Sequence, residues 1–183
     1  MITIVKLVWD SYWRHYLLHM SSDIQGIVTT LLRTKRTSEF NEWRLKNLTL
    51  KLNLDGIDLS GLDLSGIFLN GASCVGSNFC KTNLSRANLV QSDLSMANFE
   101  NSNLNSALVM YSDLSRCNLS RADLTGTNLM WSNLNHCDLS YCIIAKTIFV
   151  ESNLLQANFT GVDMSTAFLK YAKRDNNLKN VSV

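Results

Sequence analysis

From Leu54 to Leu169 every fifth residue is apolar, a series of 24 positions that never slips phase. A second series of smaller residues lies two positions ahead of each member: Ala72, Ser77, Thr82, Ala87, Ser92, Ala97, Ser102, Ala107, Ser112, Cys117 and Ala122, with the bulkier Leu52, Ile57, Leu62 and Ile67 at its start. A period of five matches neither the 3.6 of an α-helix nor the 2.0 of a strand, so the chain has to turn a corner once per pentad. The sequence contains no proline, which suits a backbone whose N–H groups are nearly all needed in a hydrogen-bond ladder. Asn or Asp usually precedes the central Leu or Phe and favours tight turns, because its short side chain bonds nearby backbone and tolerates left-handed conformations. Gly56, Gly61, Gly66, Gly71 and Gly76 recur at one pentad position, where a corner needs conformational freedom.

The pentads AnLvq (87–91), AnFen (97–101), AdLtg (122–126) and AnFtg (157–161) follow the pattern A(D/N)Lxx, and over residues 52–171 the chain resembles the pentapeptide-repeat family. The resemblance implies an all-β solenoid, a right-handed quadrilateral β-helix with four pentads per coil and about six coils. The central Leu/Phe and the small residue before it then point inward and the other three positions outward. At a strand spacing of about 4.8 Å, five steps between coils give a rod about 24 Å tall without its ends. The expected division is a helical N-terminal cap region at 1–46, the repeat rod at 47–171 and a polar C-terminal tail at 172–183.

An open end of such a rod has to be covered against edge-to-edge growth. In residues 2–20, Lys6, Asp10, Ser11, Arg14 and His15 share one helical face, leaving Val5, Trp9, Tyr12, Trp13 and Tyr16 towards another. Ser22 with Gln25 forms a capping-box pattern, and Ile24, Ile27, Val28, Leu31 and Leu32 follow at helical spacing. Two amphipathic helices are therefore expected ahead of the rod, followed by a segment around Phe40–Trp43 and an irregular first coil. No uninterrupted apolar run reaches the ~18 residues of a membrane span, and no signal-peptide pattern is present. These features, with thiols expected to stay reduced, predict a cytoplasmic protein.

Little in the sequence points to chemistry. His15 and His19 lie four apart without a carboxylate or Cys to complete a metal set, and His136 falls at an outward pentad position. The five Cys are odd in number and lack CxxC spacing; Cys117 and Cys137, 20 residues apart, are expected to stack as small core fillers. The Asp residues are regularly placed turn formers, and no phosphate-binding glycine motif occurs. The expectation is a protein that is not an enzyme, with no catalytic residues, metal or cofactor.

Sorting the outward positions by face gives a sharper signal. With four pentads per coil, residues 20 apart share a face. Three faces carry few apolar outward residues: Val75, Met96 and Leu155 on one, Cys80 and Tyr141 on the next, Ile143 and Ala145 on the third. The fourth carries Phe68, Val90, Leu108, Met110, Tyr111, Met130, Trp131, Ile148, Val150, Phe168 and Tyr171. Contiguous exposed apolar surface rich in Trp, Tyr and Met marks a contact surface. These residues are the expected partner-binding set, for another protein or for a homodimer; the alternative is coverage by residues 2–20, whose helix would match the rod's height.

The leading functional reading is a non-enzymatic interaction module, a rigid rod presenting one hydrophobic face. The resemblance implies a bacterial protein, and delivery into a host cell as an effector is known in the family. A second reading taken from the family is a DNA mimic that protects or inhibits DNA gyrase. Against it, residues 54–169 carry only five basic and ten acidic groups, no loop interrupts the pentads, and the tail is polar. Direct nucleic-acid binding is not expected at a net charge of +2. A third reading is a peripheral membrane protein anchored by residues 1–20.

Overall fold

The computed structural model describes residues 32, 34 and 37–175. The helices expected at 2–20 and from Ser22, with His15 and His19, and most of the polar tail lie outside the described residues.

From Asn53 to Lys173 the chain winds as a solenoid whose β-bridges are all parallel and join residues 20 apart, as in Asn53 to Ser73, Ser73 to Asp93 and Asp93 to Asp113. Each pentad contributes a single bridge residue, not a strand several residues long, because the chain turns before a second pair can form. The repeating unit is clear around Leu54: its N–H donates to Ser73 O at 2.7 Å, Gly56 N–H to Val75 O at 2.9 Å, and Ser73 N–H returns to Leu52 O at 2.9 Å. The turn between sides closes locally, with Ile57 N–H donating to Leu54 O at 3.2 Å.

In every such turn but the one closed by Ala167 N–H to Met164 O the third residue is left-handed, which with an ordinary second residue is the signature of a type II turn. Gly56 takes φ +65° and Gly71 +69°, as the recurrence of glycine leads one to expect. The same conformation persists where glycine is replaced, at Tyr111 (φ +59°), Trp131 (φ +58°) and Arg121 (φ +59°). A left-handed non-glycine residue costs about 1–2 kcal/mol, and the ladder offsets it: Trp131 N–H, for instance, donates to Val150 O at 3.1 Å. The Asn and Asp before the central Leu do not themselves supply the left-handed backbone. They hold the bridge position, and their carboxyl or amide oxygens accept from the N–H two residues on, as in Asp55 N to Asn53 Oδ1 at 2.9 Å. In several columns they also bond to the coil below, as Asn83 Nδ2 does to Asp63 Oδ1 at 2.8 Å.

Both inward series are buried except at Leu62 in the first coil and Phe159, Val162 and Ala167 in the last, which are partly buried. The larger fills the axis with Leu, interrupted by Phe79 and Phe99, whose rings stack at 4.9 Å and 3°. The smaller has a polar task that its size alone does not reveal. Ser77, Thr82, Ser112, Thr127, Ser132 and Thr147 donate their hydroxyls to the carbonyl of a central residue one coil below, at 2.6–2.8 Å. At Leu54, Leu89, Leu104 and Leu124 that carbonyl already accepts the turn N–H, so the hydroxyl fills its second lone pair while satisfying itself. Thr127→Val keeps the shape and deletes the bond to Leu104 O; a stability loss of about 1 kcal/mol in urea unfolding is expected, and no loss would show that the hydroxyl contributes nothing net.

One helix, α1 (Thr37–Lys46), stands at the N-terminal edge. It buries Phe40 and Arg44. The first coil has no predecessor to meet its ladder groups, and α1 supplies the substitutes: Asn41 Oδ1 accepts from Phe68 N–H at 2.9 Å, and Arg44 Nη2 donates to Asn70 O at 2.8 Å. Arg44 Nη1 also holds the connecting turn through Asn47 O and Leu50 O. Its Nε is buried without a partner, and burial lowers the guanidinium's pKa from its ordinary value.

At the other end the ladder is incomplete. Ile143 makes no bridge to Asp163 although the columns on either side continue to Asn158 and Phe168. The chain at 161–166 departs from the coil there and leaves Ile143 exposed. Tyr141 lies against Gly161, where an added Cβ would meet its ring at 2.6 Å, so glycine is needed for contact as well as for its φ of +72°.

Candidate functional site

The fourth face is built by three columns. The bridge column runs Phe68, Asn88, Leu108, Asn128, Ile148, Phe168, each bonded to the next in register. The second, just before the corner, includes Val90, Met110, Met130 and Val150, whose carbonyls accept from Gly71, Gln91, Tyr111 and Trp131. The third column is the left-handed corner itself, which aims Tyr111 and Trp131 outward. Their rings stack at 4.7 Å and 7°. Stacking along the rod turns each ring's edge to solvent, which leaves Tyr111 and Trp131 at 53% and 41% exposure despite their contact.

The structure brings eight of the eleven expected residues into one strip: Val90, Leu108, Met110, Tyr111, Met130, Trp131, Ile148 and Val150 occupy adjacent coils. The other three lie at its ends. Phe68 belongs to the first coil, beside α1; Phe168 and Tyr171 belong to the last, where Glu151 and Lys170 interrupt the apolar columns and Lys170 Nζ sits 5.0 Å from the Tyr171 ring centre. The bridge column is also less apolar than a count suggests, because Asn88 and Asn128 alternate with Leu108 and Ile148. Elsewhere the exposed apolar side chains Met96, Tyr141, Ile143 and Leu155 are scattered over the other faces, and Tyr141 is further engaged by Arg121 at 5.9 Å.

Among the described residues the titratable groups form no reactive set. Cys74, Cys117, Cys137 and Cys142 are buried and free. Cys117 and Cys142 donate to Leu94 O and Leu119 O, as Ser and Thr do at the same position. Burial holds the thiols of Cys74 and Cys137 well above their usual value and pushes Cys142 up to about 12, which keeps them protonated and unreactive at neutral pH. His136 is exposed at a corner. Among the described residues no three of His, Cys, Asp and Glu gather as a metal site, and no helix is long and apolar enough to cross a membrane. A polar groove beside Asn83, Ser85, Arg86, Asn103 and Asn105 has no nucleophile with a base next to it.

A stack of four-sided coils with a packed axis and one apolar side is a repeat scaffold, whose capability is to hold a surface rigid. The family model for pentapeptide repeats matches residues 69–105 and 112–149 in 8 copies, so these residues are pentapeptide repeats, and repeats of this kind fold as the right-handed quadrilateral β-helix. Solved structures similar to it include HetL, a pentapeptide repeat protein involved in heterocyst differentiation regulation from the cyanobacterium Nostoc sp. strain PCC 7120, at 27% identity over 68% of each chain with a TM-score of 0.33. Others are a trypsin-treated form of QnrB1, a plasmid-mediated fluoroquinolone resistance protein, at 20% identity over 69% of this chain and 91% of that one, TM-score 0.43, and Rfr23 from the cyanobacterium Cyanothece 51142, at 22% over 75% and 95%, TM-score 0.30. No curated protein matches the chain.

Proposed function

We propose that this chain is a non-enzymatic protein-interaction module, a bacterial cytoplasmic adaptor or effector whose rod of six coils, with a helical cap at 1–46, repeats at 47–171 and a tail at 172–183, presents its fourth face to a protein partner. The observation that carries the reading is the strip over adjacent coils in which Leu108, Tyr111 and Trp131 are exposed beside the half-buried Met110 and Met130, while the exposed apolar side chains of the other faces are scattered. Rigid stacking fixes these side chains before contact, so a partner ordering against them meets little further conformational cost.

The DNA-mimic reading is less well supported by the register, which spreads the acidic groups over three faces: Asp93 and Asp113 on one, Asp58 and Asp138 on the next, Asp63 and Asp123 on the third. No two parallel rows like those of duplex phosphates result. In-cell photo-crosslinking tests the proposal. A benzophenone side chain in place of Tyr111 is expected to yield a discrete higher-mass adduct, and the same group in place of Tyr141, equally exposed on another face, is not. Equal labelling at the two positions, or none at Tyr111, would sink it.

A further inference from the structure

We infer that the corner column of Trp131, Glu151 and Tyr171 on the fourth face is a binding site for an arginine side chain of the protein partner. The inference rests on the reading of that face as a contact surface and names the group that the surface takes.

The backbone sets the three residues in file. Trp131, Glu151 and Tyr171 follow one another at 20-residue steps and share the left-handed corner conformation, at φ +58°, +57° and +61°. The ladder holds their register: Trp131 N–H donates to Val150 O at 3.1 Å, Glu151 N–H donates to Lys170 O at 3.0 Å, and the bridges alongside run from Asn128 to Ile148 to Phe168. Equal backbone angles at equal steps send the three Cα–Cβ bonds out in parallel, so the side chains leave the rod one above another.

Tyr111 shows what this spacing permits. Its ring covers one side of the Trp131 indole at 4.7 Å and 7°, a single coil step. The other side of the indole faces the level of Glu151, where no ring continues the stack. Tyr171 stands two steps from Trp131, about 9.6 Å at a coil spacing of about 4.8 Å. A flat group held at the level of Glu151 therefore lies about 4.8 Å from each aromatic position, inside the ~6 Å over which a cation is drawn to a ring face.

Charge selects what enters. Glu151 is exposed, and its carboxylate has no hydrogen-bond or ion-pair partner among the described residues. Lys170 Nζ sits 5.0 Å from the Tyr171 ring centre, so that ring already holds a cation of its own chain while Glu151 stays unpaired. A carboxylate between two aromatic positions is complementary to a guanidinium, whose flat faces stack on rings while its edge donates two parallel N–H groups to the carboxylate. An ammonium is compact and strongly hydrated, and it has no flat face to lay on an indole. Met130 and Val150, half-buried in the adjoining column, give the site an apolar flank that strengthens the charge pair by keeping water off it. The corner columns of the other faces lack this order: Tyr141 stands between Arg121 and Gly161, and Arg116 is followed by His136 and Gln156.

The test is a titration of the purified full-length chain, read at the indole N–H signal of Trp131, which is assigned by its loss in Trp131→Phe. The probes are three acetylated and amidated tripeptides, Leu-Arg-Leu, Leu-Lys-Leu and Leu-citrulline-Leu. The arginine peptide is expected to shift the signal saturably with a Kd of about 1 mM, about threefold or more below that of the lysine peptide, while the uncharged citrulline peptide does not saturate below about 10 mM. Glu151→Gln, which alters a side chain that bonds nothing in the rod, is expected to weaken the arginine peptide about fivefold or more with the circular dichroism unchanged. Binding of the arginine peptide no tighter than that of either other peptide, no shift at all, or an unchanged Kd in Glu151→Gln would each overturn the inference. The in-cell adduct at Tyr111 does not depend on the partner's charge, so its formation beside a failed titration removes the arginine site alone, whereas its absence removes the contact surface itself.

Discussion

Phe99→Ala should lower the stability of the rod by about 3–5 kcal/mol, read as a fall in the urea midpoint. Phe99 is fully buried and its ring lies flat on that of Phe79 in the next coil, so truncation removes contacts in both coils and leaves a void that the ladder cannot close. Coil spacing is fixed by hydrogen bonds on all four sides, such as Phe79 N to Asn98 O at 2.7 Å and Phe99 N to Asn118 O at 2.7 Å, which prevents collapse into the gap. Phe99→Leu, which installs the residue that the same column carries at Leu59, Leu119 and Leu139, should cost far less. Because each coil touches only its neighbours, hydrogen exchange should quicken most around residues 79–118. Equal losses for the two variants would mean that the stacked rings are not what holds this part of the axis.

Arg44→Ala should cost about 3 kcal/mol, and the damage should be local to the N-terminal edge. The side chain is 1% exposed and binds three carbonyls, of Asn47, Leu50 and Asn70, at 2.8–2.9 Å. Hydrogen bonds from a charged donor contribute about 1.5–3 kcal/mol each and do not add fully when they share one group. Arg44→Lys should restore less than half, since a single ammonium cannot reach carbonyls that the planar fork spans from two nitrogens. The amide of Phe68, whose acceptor is Asn41 on the same helix, should lose exchange protection, while that of Leu154 in the last coils should not. Uniform loss along the chain, or none at Phe68, would show that α1 does not close this edge.

Helix α1 was the element least legible in the sequence. Residues 37–46 carry only Phe40 and Trp43 at an apolar spacing, and the residue that matters most is an arginine, which in sequence reads as surface. Glu39 in the first turn and Arg44 and Lys46 in the last, which complement the helix dipole, were the available signal. The turns were half legible: recurrent glycine marked the corner, but nothing in Tyr111, Trp131 or Arg121 announces a left-handed backbone. Those residues adopt it because the ladder above and below dictates the path, a tertiary cause that local propensity does not contain. The eleven residues of the fourth face follow from the pentad count alone. Their columns, with the interruption by Glu151 and Lys170, follow from the 20-residue register, whereas the stacking of Tyr111 on Trp131 is seen only in the folded rod.

The sequence by itself determined the period, the inward and outward positions and which side of the rod is apolar, since a phase held through 24 pentads admits one register and a slip by one residue would bury Asn and Asp in its axis. Only the tertiary structure decided how the rod is closed at its first coil, where it opens near Ile143, and which apolar side chains form one surface. Each of those depends on groups brought together from distant parts of the chain, Arg44 with Asn70 and Tyr111 with Trp131, whose contact is set by the stacking of coils and by no local preference of the residues themselves.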